Sequence, residues 1–512
     1  MDVFHFLALG FSEALSPSNL LFCFVGAILG TIIGILPGMG PTATMAILLP
    51  LTTSLPPLAS IVMLSAIYYG SQYSGSTTAI LINLPGEPSS AATTIEGYQM
   101  ARRGRAGAAL AISALGSFFA GTTSALALAV AAPALSAVAL SFGPPEYVWL
   151  CILGLLAAMV LARGSLLKAT GMVCVGLLLA MVGANVDGSG ARLTLGIPSL
   201  ANGIDFVVVT VGLFGVAEIA SNLGRKSKVD VAQNSVGPLW PTRQEFNDSL
   251  GAVVRGTLLG TLLGVLPGGG ATFGAFSSYS VEKKISKTPE KFGQGAIAGV
   301  AGPESANNAA SQSAFIPLLT LGIPSNSVMA MILAAMTMHG VSPEPSIIEA
   351  QPEIFWGLVA SMWVGNVLLL VINLPLVGLW VRLFKMPYRL LYPAILLFCC
   401  IGVYSLNSRG SDVVMVMVFA AIGYVLKKAR CETGPLLLGL VLGPLFERSL
   451  RQALQSSSGD PMVFVGRPIS IVLLTITAGI LLAIAIPAAF NSRKRSRHHS
   501  AGPRAGGVDP TP

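Results

Sequence analysis

Charged residues are scarce in this chain. Asp, Glu, Lys and Arg make up only 10% of its 512 residues, whereas a soluble domain usually contains about 25%. None of them occurs between Ala14 and Gly86, and apolar residues make up 53% of the whole chain. A chain of this composition is predicted to lie in a lipid bilayer rather than in water.

The motifs of several enzyme classes are also missing. The sequence contains no G-x-x-x-x-G-K-[ST], no H-E-x-x-H and no G-x-S-x-G, which excludes ATP hydrolysis through a P-loop and gives no support to common hydrolases. Its six cysteines show no CxxC or histidine-linked spacing, so we interpret them as small residues in helix packing. We predict that the protein is not an enzyme, and an integral-membrane enzyme is the less favoured alternative.

The net charge of +8 lies in short Lys and Arg clusters between apolar runs. Such clusters orient membrane helices and do not indicate nucleic-acid binding. The last apolar run, Ile469 to Phe490, has 22 uncharged residues, or about 33 Å of helix, enough to span a bilayer. We predict an all-α polytopic membrane protein with about 11–12 transmembrane helices, some of them interrupted or re-entrant.

One segment occurs twice. Residues 30–42, GTIIGILPGMGPT, recur at 260–272 as GTLLGVLPGGGAT, with eight of thirteen positions identical. This repeat predicts a duplicated chain. The predicted divisions are an N-terminal segment (1–16), membrane repeat 1 (17–223), a cytoplasmic linker (224–249), membrane repeat 2 (250–446), a loop with the final transmembrane helix (447–491) and a disordered basic cytoplasmic tail (492–512).

The two repeats are predicted to be inverted relative to each other. The loop after the second motif of repeat 1 is basic, Arg102 to Arg105, whereas the corresponding loop of repeat 2 is acidic, Glu344 to Glu353. Because basic loops stay in the cytoplasm, we expect these two loops on opposite sides of the membrane. The basic C-terminal tail is then cytoplasmic as well.

Each repeat carries a Pro-Gly break inside an apolar segment, at 37–38 and at 267–268. Proline lacks an amide proton and glycine allows left-handed conformations, so the helix stops there and restarts near Thr42 and Thr272. A re-entrant hairpin and a kinked spanning helix both fit the length. Cations flank only the second break, which favours hairpins that enter from opposite faces.

Free amides at a helix start, together with the helix dipole, favour an anion. A second, hydroxyl-rich and amide-rich break follows the first in each repeat, and such groups can replace the hydration shell of a carboxylate or a sodium ion. The alternatives are a kink that only aids packing and ordinary interhelical hydrogen bonds. The predicted substrate-binding residues are Gly38, Gly40, Thr42, Ser76, Thr77, Asn83, Gly86, Gly268, Gly269, Gly270, Thr272 and Ser325.

A buried proton relay needs chains of acids or histidines, and only Glu218 and Glu304 are reasonable candidates in the apolar segments. We therefore predict coupling to sodium, with no other cofactor. The predicted sodium-binding residues are Asn307, Asn308, Ser311 and Thr320.

These motifs resemble the large membrane subunit of the tripartite tricarboxylate transporter family, the TctA type. The resemblance covers about residues 17–446. It is carried by GILPGMGP (34–41), YGSQYSGS (69–76), LINLPG (81–86), EGY (96–98), residues 267–287, PESANN (303–308) and LTLGIP (319–324). Ser74 stands where the family has glycine, and Ser325-Asn326 replaces its usual Gly-Ser.

The resemblance implies the translocating permease subunit of a bacterial inner-membrane uptake system. It implies two partners, a small four-helix membrane subunit and a periplasmic solute-binding protein that delivers a carboxylate. We expect alternating access by rigid-body movement of one part against another. A stand-alone anion carrier or a channel is the alternative, and a channel would show uptake that does not saturate.

Overall fold

The structure, a computed structural model, describes residues 3–36, 40–162, 165–185, 190–222, 237–266, 270–383 and 388–482. Helix accounts for 79% of it. Within the described residues, the strands are β1 (Gly183–Ala184) and β2 (Ala191–Arg192), which form one short antiparallel pair. The predicted all-α class is confirmed.

The helices of the first half are α1 (Val3–Ala14), α2 (Pro17–Ile35), α3 (Pro41–Thr52), α4 (Pro57–Ile82), α5 (Ala91–Arg102), α6 (Ala106–Ala139), α7 (Pro144–Leu161), α8 (Leu166–Ala180), α9 (Phe206–Thr210) and α10 (Ala217–Asn222). A π-helical segment, Val211–Val216, joins α9 to α10.

The helices of the second half are α11 (Arg243–Gly264), α12 (Gly270–Ile285), α13 (Ala298–Ser313), α14 (Phe315–Leu321), α15 (Ser327–Met338), α16 (Ile347–Ala350), α17 (Pro352–Asn373), α18 (Val377–Leu383), α19 (Tyr388–Asn407), α20 (Gly410–Lys428), α21 (Gly434–Ser456) and α22 (Pro468–Leu482).

Four of the described helices, α2, α6, α17 and α20, are long and apolar enough to cross a membrane. Others, such as α3, α8 and α15, are apolar but shorter. Large apolar side chains remain exposed on the outer faces, for example Leu258 and Leu262 of α11 at 60% and 69% exposure. Lipid is the solvent that such faces require, so the chain is a multi-pass membrane protein.

Helices end at the predicted breaks. α2 stops before the first Pro-Gly and α11 before the second, and helix resumes at α3 and α12. Residues 37–39 and 267–269, including the predicted site residues Gly38, Gly268 and Gly269, lie outside the described part of the chain. At the second pair of breaks, α4 and α14 end on left-handed residues, Asn83 with φ 58° and Gly322 with φ 69°, a common way to terminate a helix.

The arms of the second break run side by side. Arg255 of α11 donates from Nε and Nη2 to the carboxylate of Glu282 on α12 at 2.9 and 2.7 Å. A continuous kinked helix would separate these residues by about 40 Å, so α11 and α12 form an antiparallel hairpin. The first break differs, because α3 packs mainly against α15, α19 and the π-helical segment rather than along α2.

A row of glycines brings two helices into close contact in each half. An added Cβ on any of these glycines would lie only 2.2 to 2.5 Å from a carbonyl oxygen of the partner helix, the small-residue packing common in membrane helices. The glycine and partner pairs are Gly26–Met63, Gly30–Ile67 and Gly34–Ser71 between α2 and α4, and Gly256–Gly302, Gly260–Ala306 and Gly264–Ala310 between α11 and α13. The same packing therefore recurs in both halves.

Each half of the chain contributes a long helix that packs on the glycine-rich helix pair of the other half. The long helix α6 of the first half packs on α11 and α13, while α17 of the second half packs on α2 and α4. The exchange is repeated elsewhere, because α21 packs on α7 and α8, and α20 packs on the π-helical segment and α10. Neither half is an independent bundle.

Two predicted boundaries shift in the structure. α11 begins at Arg243, inside the predicted linker, because Thr242 and Glu245 form a capping box with hydrogen bonds of 2.8 and 3.3 Å. The loop predicted to begin at residue 447 starts later, because α21 continues to Ser456. Most of the linker and the whole basic tail lie outside the described residues.

Candidate functional site

Residues that follow the four sequence breaks line one cavity of about 300 Å³. Three helices begin at its wall: α3 with residues 40–42, α12 with residues 270–272 and α15 with residues 326–328. Residues 87–89, which follow the end of α4, form another part of the wall. Both halves of the chain thus contribute corresponding pieces to one site.

Backbone amides at these helix starts can donate hydrogen bonds to a bound anion. Gly40 precedes α3 in an extended conformation, and no side chain caps this helix, so its first amides lack partners within the helix. α15 differs, because Asn326 Oδ1 accepts hydrogen bonds from the amides of Val328 and Met329 at 2.9 and 3.0 Å. The start of α3 is therefore more open to a ligand than the start of α15.

Hydroxyl and amide side chains complete the polar wall. The Thr42 and Ser327 hydroxyl oxygens lie 3.3 Å apart, which joins α3 to α15. The Ser89 hydroxyl donates to Gln72 Oε1 at 2.8 Å, and Thr272 enters from α12. These groups can hydrogen-bond to carboxylate oxygens.

Two acids also line this cavity. Glu218 of α10 is paired with Lys427 of α20 at 2.7 Å. Glu87 is only 3% exposed, and its Oε1 has no hydrogen-bond partner within the part of the chain that the structure describes. An anion that entered beside an ionised Glu87 would need a cation to offset the repulsion.

The predicted substrate-binding residues separate into groups. Gly40, Thr42, Gly270 and Thr272 line the cavity. Ser76, Thr77, Gly86 and Ser325 are buried elsewhere, and Asn83 is an exposed helix cap. Gly86 has a packing role, because an added Cβ would lie 1.9 Å from the Gly34 carbonyl oxygen.

Sequence reasoning did not select Tyr68, Gln72, Glu87 or Ser89 for this cavity. Glu87 had a local signal, because it is an acid directly after the Pro85-Gly86 break. Tyr68 and Gln72 lie four residues apart on one face of α4. Gln72 belongs to the YGSQYSGS motif (69–76), whereas Tyr68 had no comparable signal.

A second polar cluster surrounds Glu304 of α13, whose exposure is 0%. Thr93 of α5 donates its hydroxyl to Glu304 Oε2 at 2.8 Å. Asn308 Nδ2 donates to Ser117 Oγ of α6 at 2.7 Å and approaches Glu304 Oε1 at 3.4 Å. Groups from α5 and α13 therefore contact the carboxyl, and Ser117 of α6 is linked to it through Asn308.

The hydroxyls of Ser76 and Ser113 extend this cluster, with Ser113 donating to Ser76 Oγ at 2.9 Å. Ser76 also faces the Glu304 carboxyl. Ser76 lies one turn after Gln72 on the same face of α4, a rise of about 6 Å. One helical face therefore connects the cavity to the buried acid.

The predicted sodium-binding residues are all buried, but only two of them lie beside Glu304. Asn307 and Asn308 face its carboxyl. The Ser311 hydroxyl donates to the Asn307 carbonyl at 2.8 Å, and that of Thr320 donates to the Ile316 carbonyl at 2.7 Å. Ser311 and Thr320 thus use their protons within their own helices.

A larger cavity of about 860 Å³ lies beside α7, α8, α21 and the loop at 342–345. Arg192 at its edge donates to Glu447 Oε1 at 2.7 Å, and Arg451 donates to the same oxygen at 3.0 Å. The hydrogen bonds from Arg192 lower the pKa of Glu447 below its usual value. The predicted breaks do not converge there, so the smaller cavity is the better candidate.

Comparison with known proteins identifies the family. The profile of the Tripartite tricarboxylate transporter TctA family matches residues 20–438. An uncharacterized 52.8 kDa protein in the TAR-I ttuC' 3' region of Agrobacterium vitis is 55% identical over 495 residues, 97% of this chain and 99% of that protein. An uncharacterized protein in the TAR-II ttuC' 3' region of the same organism is 54% identical over 234 residues, 46% of this chain and 97% of that protein.

No solved structure matches the chain. The family profile, however, covers most of its length, and the ordered motifs of the sequence fall within that range. The chain belongs to the TctA family of tripartite tricarboxylate transporters.

Proposed function

We propose that this chain is the translocating subunit that imports di- or tricarboxylates across a bacterial inner membrane, through the cavity of about 300 Å³. Membership of the TctA family supports a transporter subunit. The observation that carries the proposed path is the convergence of helix starts from both halves on one cavity. A carboxylate bound there accepts hydrogen bonds from backbone amides and from the Thr42 and Thr272 hydroxyls.

Two partners act with the chain in this proposal. A periplasmic solute-binding protein delivers the carboxylate, and a small four-helix membrane subunit completes the membrane complex. The tripartite nature of the family supports both. The basic clusters of the sequence support a cytoplasmic C-terminus.

Transport follows alternating access. The recurrent glycine packing in both halves supports two related units, and the loop charges support their inversion. In an inverted pair, the hairpin of α11 and α12 opens toward one face while α2 and α3 open toward the other. Rigid-body movement of one unit against the other then exposes the cavity to each side in turn.

Sodium supplies the driving force in this proposal. A buried carboxylate, Glu87, shares the cavity with the anion site, and a second carboxylate lies among the amides of Asn307 and Asn308. A cation that binds with the substrate offsets the repulsion between the anion and these acids. Substrate and sodium then enter together.

Uptake by reconstituted complexes tests the proposal. Liposomes containing the chain and its small subunit, with the binding protein outside, should accumulate the labelled carboxylate that the binding protein carries. Accumulation should require an inward sodium gradient and saturate with substrate. Equal uptake with potassium in place of sodium contradicts the coupling, and uptake that never saturates contradicts the carrier.

Two threonines test the location of the path. Thr42→Val and Thr272→Val each remove one hydroxyl from the cavity, and we expect KM to rise about tenfold, the worth of one hydrogen bond to a charged group. Thr123→Val on the exposed face of α6 is the matched control and should leave KM unchanged. Unchanged KM in both cavity variants would place the substrate elsewhere.

A further inference from the structure

Glu304 is a fully buried acid. Its side chain lies on α13 with 0% exposure, and it takes part in none of the ion pairs formed by the described residues. Moving an ionised carboxylate out of water costs several kcal/mol unless a charge or strong hydrogen bonds compensate. The Thr93 hydroxyl at 2.8 Å supplies one such bond, and it leaves the net charge in place.

Unpaired amide atoms lie around this carboxyl. Asn307 Oδ1, Asn307 Nδ2 and Asn308 Oδ1 have no hydrogen-bond partner among the described residues, although both side chains are only 1% exposed. Each unpaired buried polar atom costs about 1–3 kcal/mol. Asn307 faces the Glu304 carboxyl, so its carbonyl oxygen can turn toward a ligand held there.

The chemistry of these groups favours a hard cation. Glu304 provides carboxylate oxygens, and Thr93 and Ser76 provide hydroxyl oxygens beside them. Asn308 turns its Nδ2 toward this carboxyl, so the free Oδ1 atoms of Asn307 and Asn308 become ligands when the amide groups rotate toward the ion. Oxygen ligands of this kind replace the hydration shell of hard metal ions. A single carboxylate neutralises one positive charge, so a monovalent ion leaves the cluster neutral in a medium of low polarity.

We propose that Glu304 and the amide oxygens of Asn307 and Asn308 form a sodium site, with the hydroxyls of Thr93 and Ser76 beside them. A carboxylate is a strong-field ligand, and a strong field favours the smaller sodium ion over potassium. The site brings together α4, α5 and α13 from both halves of the chain. Sodium binding therefore clamps the two halves at this point.

The position of this site links it to the anion cavity. Ser76 lies one turn from Gln72, which lines the cavity on the same face of α4. An ion at Glu304 removes a negative charge near the path of an anionic substrate, so the substrate binds more favourably. This link to transport rests on the proposed function, whereas the binding of sodium to the chain does not.

Sodium binding to the purified full chain, without partners or carboxylate, tests the inference. Labelled sodium should bind to the detergent-solubilised protein, and excess unlabelled sodium should displace it at least tenfold more effectively than potassium. Glu304→Gln keeps the shape of the side chain but removes its charge, and it should abolish binding. Glu349→Gln, an exposed acid before α17, is the matched control and should bind like the unchanged protein.

A second variant covers the case in which Glu304→Gln does not fold. Thr93→Val removes one hydroxyl oxygen, and it should weaken sodium binding about tenfold while potassium stays a poor competitor. The proposal is overturned if the unchanged protein binds no sodium, if folded Glu304→Gln retains binding, or if folded Thr93→Val binds with unchanged affinity.

The outcomes separate this inference from the proposed function. Uptake that persists without sodium binding at Glu304 contradicts the inference alone. Sodium binding to the purified chain combined with absent carboxylate uptake contradicts the proposed function alone.

Discussion

The ion pair between α11 and α12 makes a specific prediction about the hairpin. Glu282 is only 3% exposed, whereas Arg255 is 45% exposed, so the two partners are not equivalent. Arg255→Gln leaves a buried carboxylate without its two guanidinium hydrogen bonds. Glu282→Gln instead leaves the Arg255 guanidinium, which is partly exposed and can be solvated. The double variant leaves two neutral amides that can hydrogen-bond to each other.

The expected magnitudes follow from this asymmetry. Loss of one partner of a fully buried pair costs about 3–5 kcal/mol, and the partial exposure of Arg255 reduces that to about 1–3 kcal/mol. We expect the free energy of unfolding to fall by this amount for Arg255→Gln and by less than about 1 kcal/mol for Glu282→Gln. The double variant should recover most of the loss, because no buried charge remains unpaired.

Unfolding of the purified protein in mixed micelles measures the three variants. Lys284→Gln, an exposed cation at the end of α12, is the matched control and should unfold like the unchanged protein. The reasoning is refuted if Arg255→Gln is as stable as Glu282→Gln. It is also refuted if the double variant is no more stable than Arg255→Gln.

Three further predictions concern packing, pH and a buried acid. Gly260→Ala places a Cβ 2.2 Å from the Ala306 carbonyl oxygen and should lower the free energy of unfolding by about 1–3 kcal/mol. Gly171→Ala on α8 places its Cβ in open space and should not lower it. Equal stabilities of the two variants would contradict the close packing. Hydrogen bonds from Arg192 lower the pKa of Glu447 in the folded protein. The ionised Glu447 should therefore stabilise the fold fully at pH values above the pKa of the unfolded chain, near 4.5, and this stabilisation should disappear as the pH falls through the lower folded pKa. The thermal unfolding of Glu447→Gln should lack this pH dependence. Glu96 accepts hydrogen bonds from the amides of Gly295 and Ala296 at 2.7 and 2.8 Å. Glu96→Gln should therefore speed tryptic cleavage at the nearby exposed Lys291, and Glu353→Gln at the exposed start of α17 should not.

The helix breaks could be predicted because they depend on local chemistry. Proline removes a helix hydrogen bond wherever it lies, and a left-handed residue such as Asn83 or Gly322 ends a helix within one turn. The duplication was equally visible, since it is a comparison of the sequence with itself. These two signals singled out the segments next to the cavity, whose lining includes Thr42, Thr272 and Asn326.

The partners of Glu304 could not be predicted in the same way. Thr93 is 211 residues away and Ser117 lies 191 residues from Asn308, and their contacts depend on α5 and α6 packing against α13. Single serines and threonines in apolar helices carry no sign of which helix they will meet. The same applies to the exchange of α6 and α17, which loop charges and helix lengths do not determine.

The exchange of long helices affects how the chain enters the membrane during synthesis. α6 is made more than a hundred residues before α11 and α13, two of the helices it packs on. Until α11 and α13 arrive, its Ser117 and Ser124 lack the Asn308 and Thr261 partners that they contact at 2.7 Å in the folded protein. In a nascent chain stalled after the first half, these hydroxyls would face lipid. The first half therefore completes its packing only after the second half has been inserted.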